Sequence, residues 1–67
     1  MQDKEIFAKF ARSEGRKVEN DGVVMFGEDE EAAQMFALKA RKAGFQVLVG
    51  LTRRQPNGPD EWGVNLV

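Results

Sequence analysis

Residues 27–45 read GEDEEAAQMFALKARKAGF, and this stretch has the marks of one complete helix with both ends specified. Asp29 is the best N-cap candidate, because its short carboxylate can accept from the free N–H groups of the first turn. Acidic residues crowd the first turn and basic residues crowd the last, so each exposed charge opposes the helix macrodipole and contributes roughly 0.3–1 kcal/mol. Gly44 followed by Phe45 is typical of a Schellman ending. The stretch therefore predicts a helix that begins after Asp29 and ends before Gly44.

The apolar stripe of this helix is dominated by alanine, with one large side chain as its anchor. Small side chains let a helix approach a sheet closely, so we expect this helix to lie directly on strands. The stripe consists of Ala33, Phe36, Ala37, Ala40 and Ala43.

Strand-like segments flank the helix on both sides. Residues 23–26, VVMF, predict a strand before it, and residues 45–51 alternate in the two-residue period of a strand after it. We expect one set of the second segment to face the helices: Phe45, Val47, Val49 and Leu51. The other set should face away: Gln46, Leu48, Gly50 and Thr52.

A final strand is predicted after the loop 55–60, QPNGPD. Trp62, Val64 and Leu66 alternate there with more polar or smaller residues, and the short separation predicts a hairpin with the preceding strand. The away-facing set of this strand is Glu61, Gly63, Asn65 and Val67.

The first 22 residues predict a helix and a turn. Asp3 can cap a helix over residues 4–14, whose apolar stripe is Ile6, Phe7, Phe10 and Ala11, and Gly15 is a plausible stop. Asn20-Asp21-Gly22 predicts a turn between residues 16–19 and the strand 23–26. Residues 16–19 are a doubtful strand, because Val18 is their only apolar member.

This order of elements predicts a single small α+β domain over residues 1–67. Strands with one apolar face and amphipathic helices bury their apolar sides against each other, which gives a two-layer sandwich. We expect a mainly antiparallel sheet with the helices on one face, and a second face open to solvent.

Composition narrows the classes of function. The 67 residues carry 11 acidic and 10 basic side chains, a net charge of −1, which provides no global attraction to nucleic acid or an acidic membrane. No cysteine is present for a disulfide, and neither a signal peptide nor a membrane span is evident, so we expect a cytoplasmic protein. A chain this short buries a thin core, which leaves a homodimer open as an alternative.

Catalysis has few residues to use. Histidine, cysteine and tyrosine are absent, and Ser13 and Thr52 are the only hydroxyl side chains, so no Ser–His or Cys–His pair can form. The acidic run 28–31 does not have the spacing of an EF-hand loop, and complementing the helix dipole explains it. We therefore predict no enzyme, and no catalytic, cofactor-binding or metal-binding residue.

Two features suggest binding to another protein. Arg53 and Arg54 are adjacent at a strand end beside a loop, where guanidinium groups suit recognition of carboxylate or phosphate. Leu48, with Met25 or Val23 and Val67, forms an apolar strip on the sheet face turned away from the helices, and such strips often mark interfaces. The predicted partner-binding residues are Gln46, Leu48, Thr52, Arg53, Arg54 and Asn57.

Binding of RNA or DNA is the alternative in another class of function. A basic patch could form from Arg12, Arg16, Lys17, Lys39, Arg41 and Lys42, together with Arg53 and Arg54. Single-stranded nucleic acid also needs exposed aromatic side chains for stacking, whereas most aromatic residues here lie on predicted core faces.

Three segments resemble the ribonuclease E inhibitor family of RraB-type regulators: residues 23–37, 42–49 and 61–64. They share with it a strand ending in an aromatic residue, an acidic cap, a helix rich in Ala and Phe, a Gly-aromatic-x-Val start to a strand, and a Trp-containing return strand. The resemblance implies a ferredoxin-like fold, here in a truncated variant because a second α-β portion is missing. It also implies a non-catalytic protein that binds an endoribonuclease and modulates RNA turnover.

The leading hypothesis is thus a protein-binding regulator or inhibitor of another enzyme, and a phage protein that blocks a host enzyme would have this size and style. A nucleic-acid-binding module and a structural module that dimerises through its sheet are the alternatives.

Overall fold

The computed structural model describes residues 3–19, 21–53 and 60–67. Its elements follow the chain as α1 (Lys4–Ser13), β1 (Val24–Gly27), α2 (Glu30–Lys42), β2 (Val47–Arg53) and β3 (Glu61–Leu66). The prediction of an α+β domain with two helices and an antiparallel sheet is confirmed.

Both helices end where the sequence predicts, because their caps are local hydrogen-bonding devices. Asp3 and Asp29 are the N-caps, and the side chain of Asp29 accepts from the N–H of Ala32 at 2.9 Å. At the end of α2, the N–H of Phe45 donates to the carbonyl of Ala40 and that of Gly44 donates to Arg41. This pair of bonds is the Schellman motif, and Gly44 takes its left-handed position with φ +100°.

The three strands form one sheet in the order β1-β3-β2. Strand β3 is antiparallel to both neighbours, so β1 and β2 run parallel to each other with β3 between them. The connection from β1 through α2 to β2 with a strand inserted between is a split β-α-β unit. Ferredoxin-like sandwiches contain this unit, and the order is consistent with the predicted truncated variant.

The core lies between this sheet and the two helices. Its buried side chains are Phe7, Ala11, Val24, Phe26, Ala33, Phe36, Ala37, Ala40, Val47 and Val64. Both helices contribute to this one cluster, which places them on the same face of the sheet. The alanines of α2 pack as predicted, except that Ala43 is the exposed C-cap.

An aromatic cluster joins the two helices to the sheet. The ring centroid of Phe36 lies 6.1 Å from that of Phe7, 5.6 Å from Phe10 and 5.4 Å from Phe26. Phe45 closes the cluster, at 5.3 Å from Phe7 and 5.5 Å from Phe10. Aromatic pairs at such distances contribute about 0.5–1.5 kcal/mol each beyond the apolar area that they bury.

Residues 16–19 do not form a regular strand. Val18 makes a single antiparallel bridge to Val24, and the N–H of Glu19 donates to the carbonyl of Val23 at 2.9 Å. A chain with one apolar residue in four gains little from pairing over a longer stretch, so the contact remains a bridge. Of the turn predicted at 20–22, Asn20 lies outside the described residues, while the N–H of Gly22 donates to the carbonyl of Glu19 at 2.9 Å and Gly22 has φ +88°.

Two side chains, Ile6 and Leu51, differ from the expected burial, whereas Phe45 packs on the helices as predicted. Ile6 was placed in the stripe of α1, but it is 57% exposed because Phe7 and Ala11 define the buried side. Phe45 precedes β2 and packs on the helices from there. Leu51 is 38% exposed, at a point where the register between β2 and β3 shifts between Leu51 and Arg53. The regular pairing of β2 with β3 ends at Leu51, so this side chain lies at the margin of the core rather than inside it.

Truncation of Phe36 should strongly destabilise the fold. Replacing a buried Phe by Ala costs about 3–5 kcal/mol, which is a large share of the 5–15 kcal/mol that stabilises a typical domain. We expect Phe36→Ala to lose that free energy of unfolding in urea titrations followed by circular dichroism. The neighbouring Met35→Ala is the matched control, because Met35 is 57% exposed and should change stability by less than about 0.5 kcal/mol. Equal losses in the two variants would contradict the described packing.

Candidate functional site

The sheet face turned away from the helices is the candidate site. Directly opposed residues share a face, and Val24, Val64 and Val49 are opposed on the helix side. The next row, Met25, Gly63 and Gly50, must therefore lie on the other face. No described helix or strand covers that second face.

A groove of about 580 Å³ runs over this face. Its floor comes from all three strands, and its lining combines apolar side chains, glycines and a few polar groups. The lining residues are Glu19, Asp21, Val23, Met25, Gly50, Leu51, Thr52, Gly63 and Asn65. Val23, Met25, Thr52 and Asn65 were all expected on the face turned away from the helices.

The two glycines of the groove have different surroundings. A methyl group added at Gly50 would meet nothing within 4 Å, whereas one added at Gly63 would lie 2.8 Å from Cγ1 of Val23 and also too close to Cγ2 of Thr52. Val23 and Thr52 thus close over Gly63 from either side. Gly50 leaves the backbone of β2 open to anything in the groove, since glycine presents no side chain.

Apolar side chains continue beyond the groove. Leu48, two residues before Gly50 on β2, is 57% exposed, and Val67 after β3 is 70% exposed. Gln46 is also exposed and accepts a hydrogen bond from the N–H of Val67 through its carbonyl, at 3.0 Å. Leu48 and Val67 of the predicted strip are thus exposed, while Val23 and Met25 line the groove.

The predicted partner-binding residues are only in part brought together. Leu48 and Thr52 lie on β2 at either side of Gly50, and Gln46 lies just before the strand. The backbone of Arg53 pairs with Glu61, and the hydroxyl of Thr52 donates to the carbonyl of Glu61 at 3.1 Å. The side chain of Arg53 and all of Arg54 and Asn57 lie outside the described part of the chain.

An acidic rim borders the groove, which sequence reasoning missed. Glu19 and Asp21 supply it, and a carboxylate oxygen of Asp21 accepts from the N–H of Val23 at 3.1 Å. No cationic side chain belongs to the described lining of the groove. The groove itself could have been predicted from Gly50 in β2 and Gly63 in β3, because glycine inside a strand often marks a place where a ligand or another backbone approaches closely.

Several of the basic residues considered for nucleic acid have partners within the fold. The Nζ atom of Lys39 lies 2.9 Å from a carboxylate oxygen of Glu14, and the guanidinium of Arg41 donates to the carbonyl of Val47 at 3.1 Å. The guanidinium carbon of Arg16 lies 4.6 Å from the ring centroid of Phe26, within the range of a cation–π contact. These contacts give the three cations a structural explanation.

The described residues were also compared with the requirements of a metal site, a buried charged group and a membrane span. They include no group of three or more side chains able to hold a metal ion, and no buried polar or charged side chain. No described helix is both long and apolar enough to cross a membrane. Within the acidic run 28–31, Asp29 acts as the N-cap of α2, as expected.

Comparison with known proteins found no matching family model, no similar curated protein and no similar solved structure.

The two glycines should respond differently to a methyl group. Gly63→Ala must displace two β-branched side chains with stiff χ1 angles, so we expect a loss of about 1–3 kcal/mol in the free energy of unfolding. Gly50→Ala is the matched control and should be neutral or stabilising by up to about 1 kcal/mol. Urea titration of both variants makes the comparison. A Gly63→Ala variant as stable as Gly50→Ala would mean that Val23 and Thr52 do not close over Gly63.

Proposed function

We propose that this chain is a non-catalytic, protein-binding regulator that holds an extended segment of another protein against its open sheet face. The observation that carries the proposal is the uncovered groove of about 580 Å³ with exposed Leu48 beside it. Apolar side chains exposed next to a groove are more typical of interfaces than of ordinary surface.

The shape of the groove favours an extended segment over a bulky ligand. Gly50 lets a partner backbone approach β2 closely, and the floor spans residues of all three strands, across which an extended segment can lie. Anchoring side chains of the partner would pack on Met25 and Leu48, which are half-buried and exposed respectively.

Charge complementarity suggests the composition of that segment. The groove has carboxylates at Glu19 and Asp21 and no cation in its described lining. A partner segment with apolar residues and a lysine or arginine near one end would match it. Arg53 and Arg54 remain proposed contacts for a carboxylate of the partner.

The resemblance to RraB-type regulators supplies the first target class, an endoribonuclease in the cytoplasm whose activity is modulated by binding alone. A host enzyme blocked by a phage protein is the broader form of the same proposal. Nucleic-acid binding is less favoured, because Arg16, Lys39 and Arg41 are already engaged within the fold.

Affinity capture from lysate, with and without nuclease, tests the class of partner. We expect a protein to be retained after nuclease treatment, with ribonuclease E as the first candidate to examine. Its RNA-cleavage rate should then change when the purified chain is added. Capture that vanishes with nuclease, and affinity that falls steeply with salt, would replace this proposal with nucleic-acid binding.

Two matched leucines locate the binding surface. Leu48→Asp places a charge on the open sheet face, and Leu38→Asp places the same charge on α2, where Leu38 is 52% exposed against 57% for Leu48. Burial of an unpaired charge at an interface should weaken binding of the captured enzyme by about tenfold or more for Leu48→Asp, and hardly at all for Leu38→Asp. Titration calorimetry measures both. The opposite ranking would move the interface to the helices.

A further inference from the structure

The outer edge of β2 is a second surface with unused bonding capacity. Strand order β1-β3-β2 leaves one edge of β2 without a neighbouring strand among the described residues. Residues 47–52 on this edge, VLVGLT, contain neither charge nor proline. Natural sheets usually protect such edges with charged side chains or proline, because an open edge pairs readily with another strand.

Hydrogen bonds at the start of β2 establish which backbone groups point outward. The carbonyl of Gln46 accepts from Val67 and so points toward β3, whereas the carbonyl of Val47 accepts from Arg41. Backbone groups of successive strand residues alternate in direction. The N–H and C=O groups of Val49 and Leu51 therefore point away from β3, and those of Gly50 point toward it.

We propose that two copies of this chain pair antiparallel along β2, about a two-fold axis between their Gly50 residues. In this register Val49 of each copy lies opposite Leu51 of the other, and each such pair exchanges two backbone hydrogen bonds. The three-stranded sheets then join into one sheet of six strands.

The chemistry of the edge favours a second copy as the occupant. A two-fold axis at Gly50 gives hydrogen-bond partners to the outward-pointing backbone groups of both Val49 and Leu51 in a single register. It also places the apolar side chain of Val49 opposite that of Leu51. Gly50 at the axis has free space around it, so the closest pair of residues meets without collision. Arg41 already occupies the carbonyl of Val47 and the register shifts beyond Leu51, which confines the pairing to the middle of the strand.

This dimer is independent of the proposed regulator function. The two-fold axis is perpendicular to the joined sheet, so both helical layers lie on one side and both grooves on the other. The grooves remain available to a partner. A contact confined to one strand is small, so we expect a dissociation constant on the order of 10⁻⁴ M.

Cysteine crosslinking tests the register, because the chain has no cysteine of its own. Gly50 is predicted to form a non-hydrogen-bonded pair with its copy, with Cα atoms about 4.5 Å apart, which suits a disulfide. In the same dimer the two Leu48 residues lie four residues out of register, roughly 13 Å apart. Under mild oxidation of the full chain, Gly50→Cys should form covalent dimers at least tenfold faster than Leu48→Cys. Leu38→Cys on α2 is the control that gives the crosslinking rate due to random collision.

Two further measurements complete the test. Sedimentation equilibrium of the wild-type chain up to millimolar concentration should show a monomer–dimer equilibrium. Adding Leu51→Pro to Gly50→Cys removes an outward N–H at an edge position that tolerates proline, and should lower the crosslinking rate to that of Leu38→Cys. A strictly monomeric wild type would overturn the proposal. Crosslinking of Leu48→Cys as fast as Gly50→Cys would overturn it as well, by indicating a face-to-face contact.

Discussion

Insertion of β3 between β1 and β2 is the constraint on which the rest of the structure depends. Val64 is opposed to Val24 on one side and to Val49 on the other, and this row forms the sheet side of the core. The next row brings Gly63 between Met25 and Gly50. A last strand added to the outside of β2 would have left Val24 and Met25 without their opposed residues in β3.

The same insertion gives the two faces of the sheet their different characters. The helix side is filled by valines, alanines and the phenylalanine cluster around Phe36, so it is closed. The opposite side has glycine at two of the three central positions; Val23 and Thr52 cover Gly63, whereas Gly50 leaves open space in the groove. Function is therefore proposed for the face that the core does not use, and for the β2 edge that the strand order leaves unpaired.

Several charged residues serve the fold. Asp3 and Asp29 cap helices, Arg41 binds a carbonyl at the β2 edge, and Arg16 lies over Phe26. Glu19 and Asp21 are different, since they border the groove and bias it toward a cationic partner. These two carboxylates are a local feature of the groove that the near-zero net charge of the chain does not reveal.

Local physical chemistry in the sequence determined the helices, the β2–β3 hairpin and the division of most strand residues between two faces. Caps such as Asp29 and Gly44 act within a few residues, and the alternation of Val47, Leu48 and Val49 is a property of one strand. Tertiary structure alone decided that β3 lies in the middle, that Gly50 and Gly63 are directly opposed, that Leu51 is exposed where the regular pairing ends and that Val18 makes only one bridge. Those outcomes depend on pairing between distant segments, because the free energy of a strand pair belongs to both partners and neither segment encodes it alone.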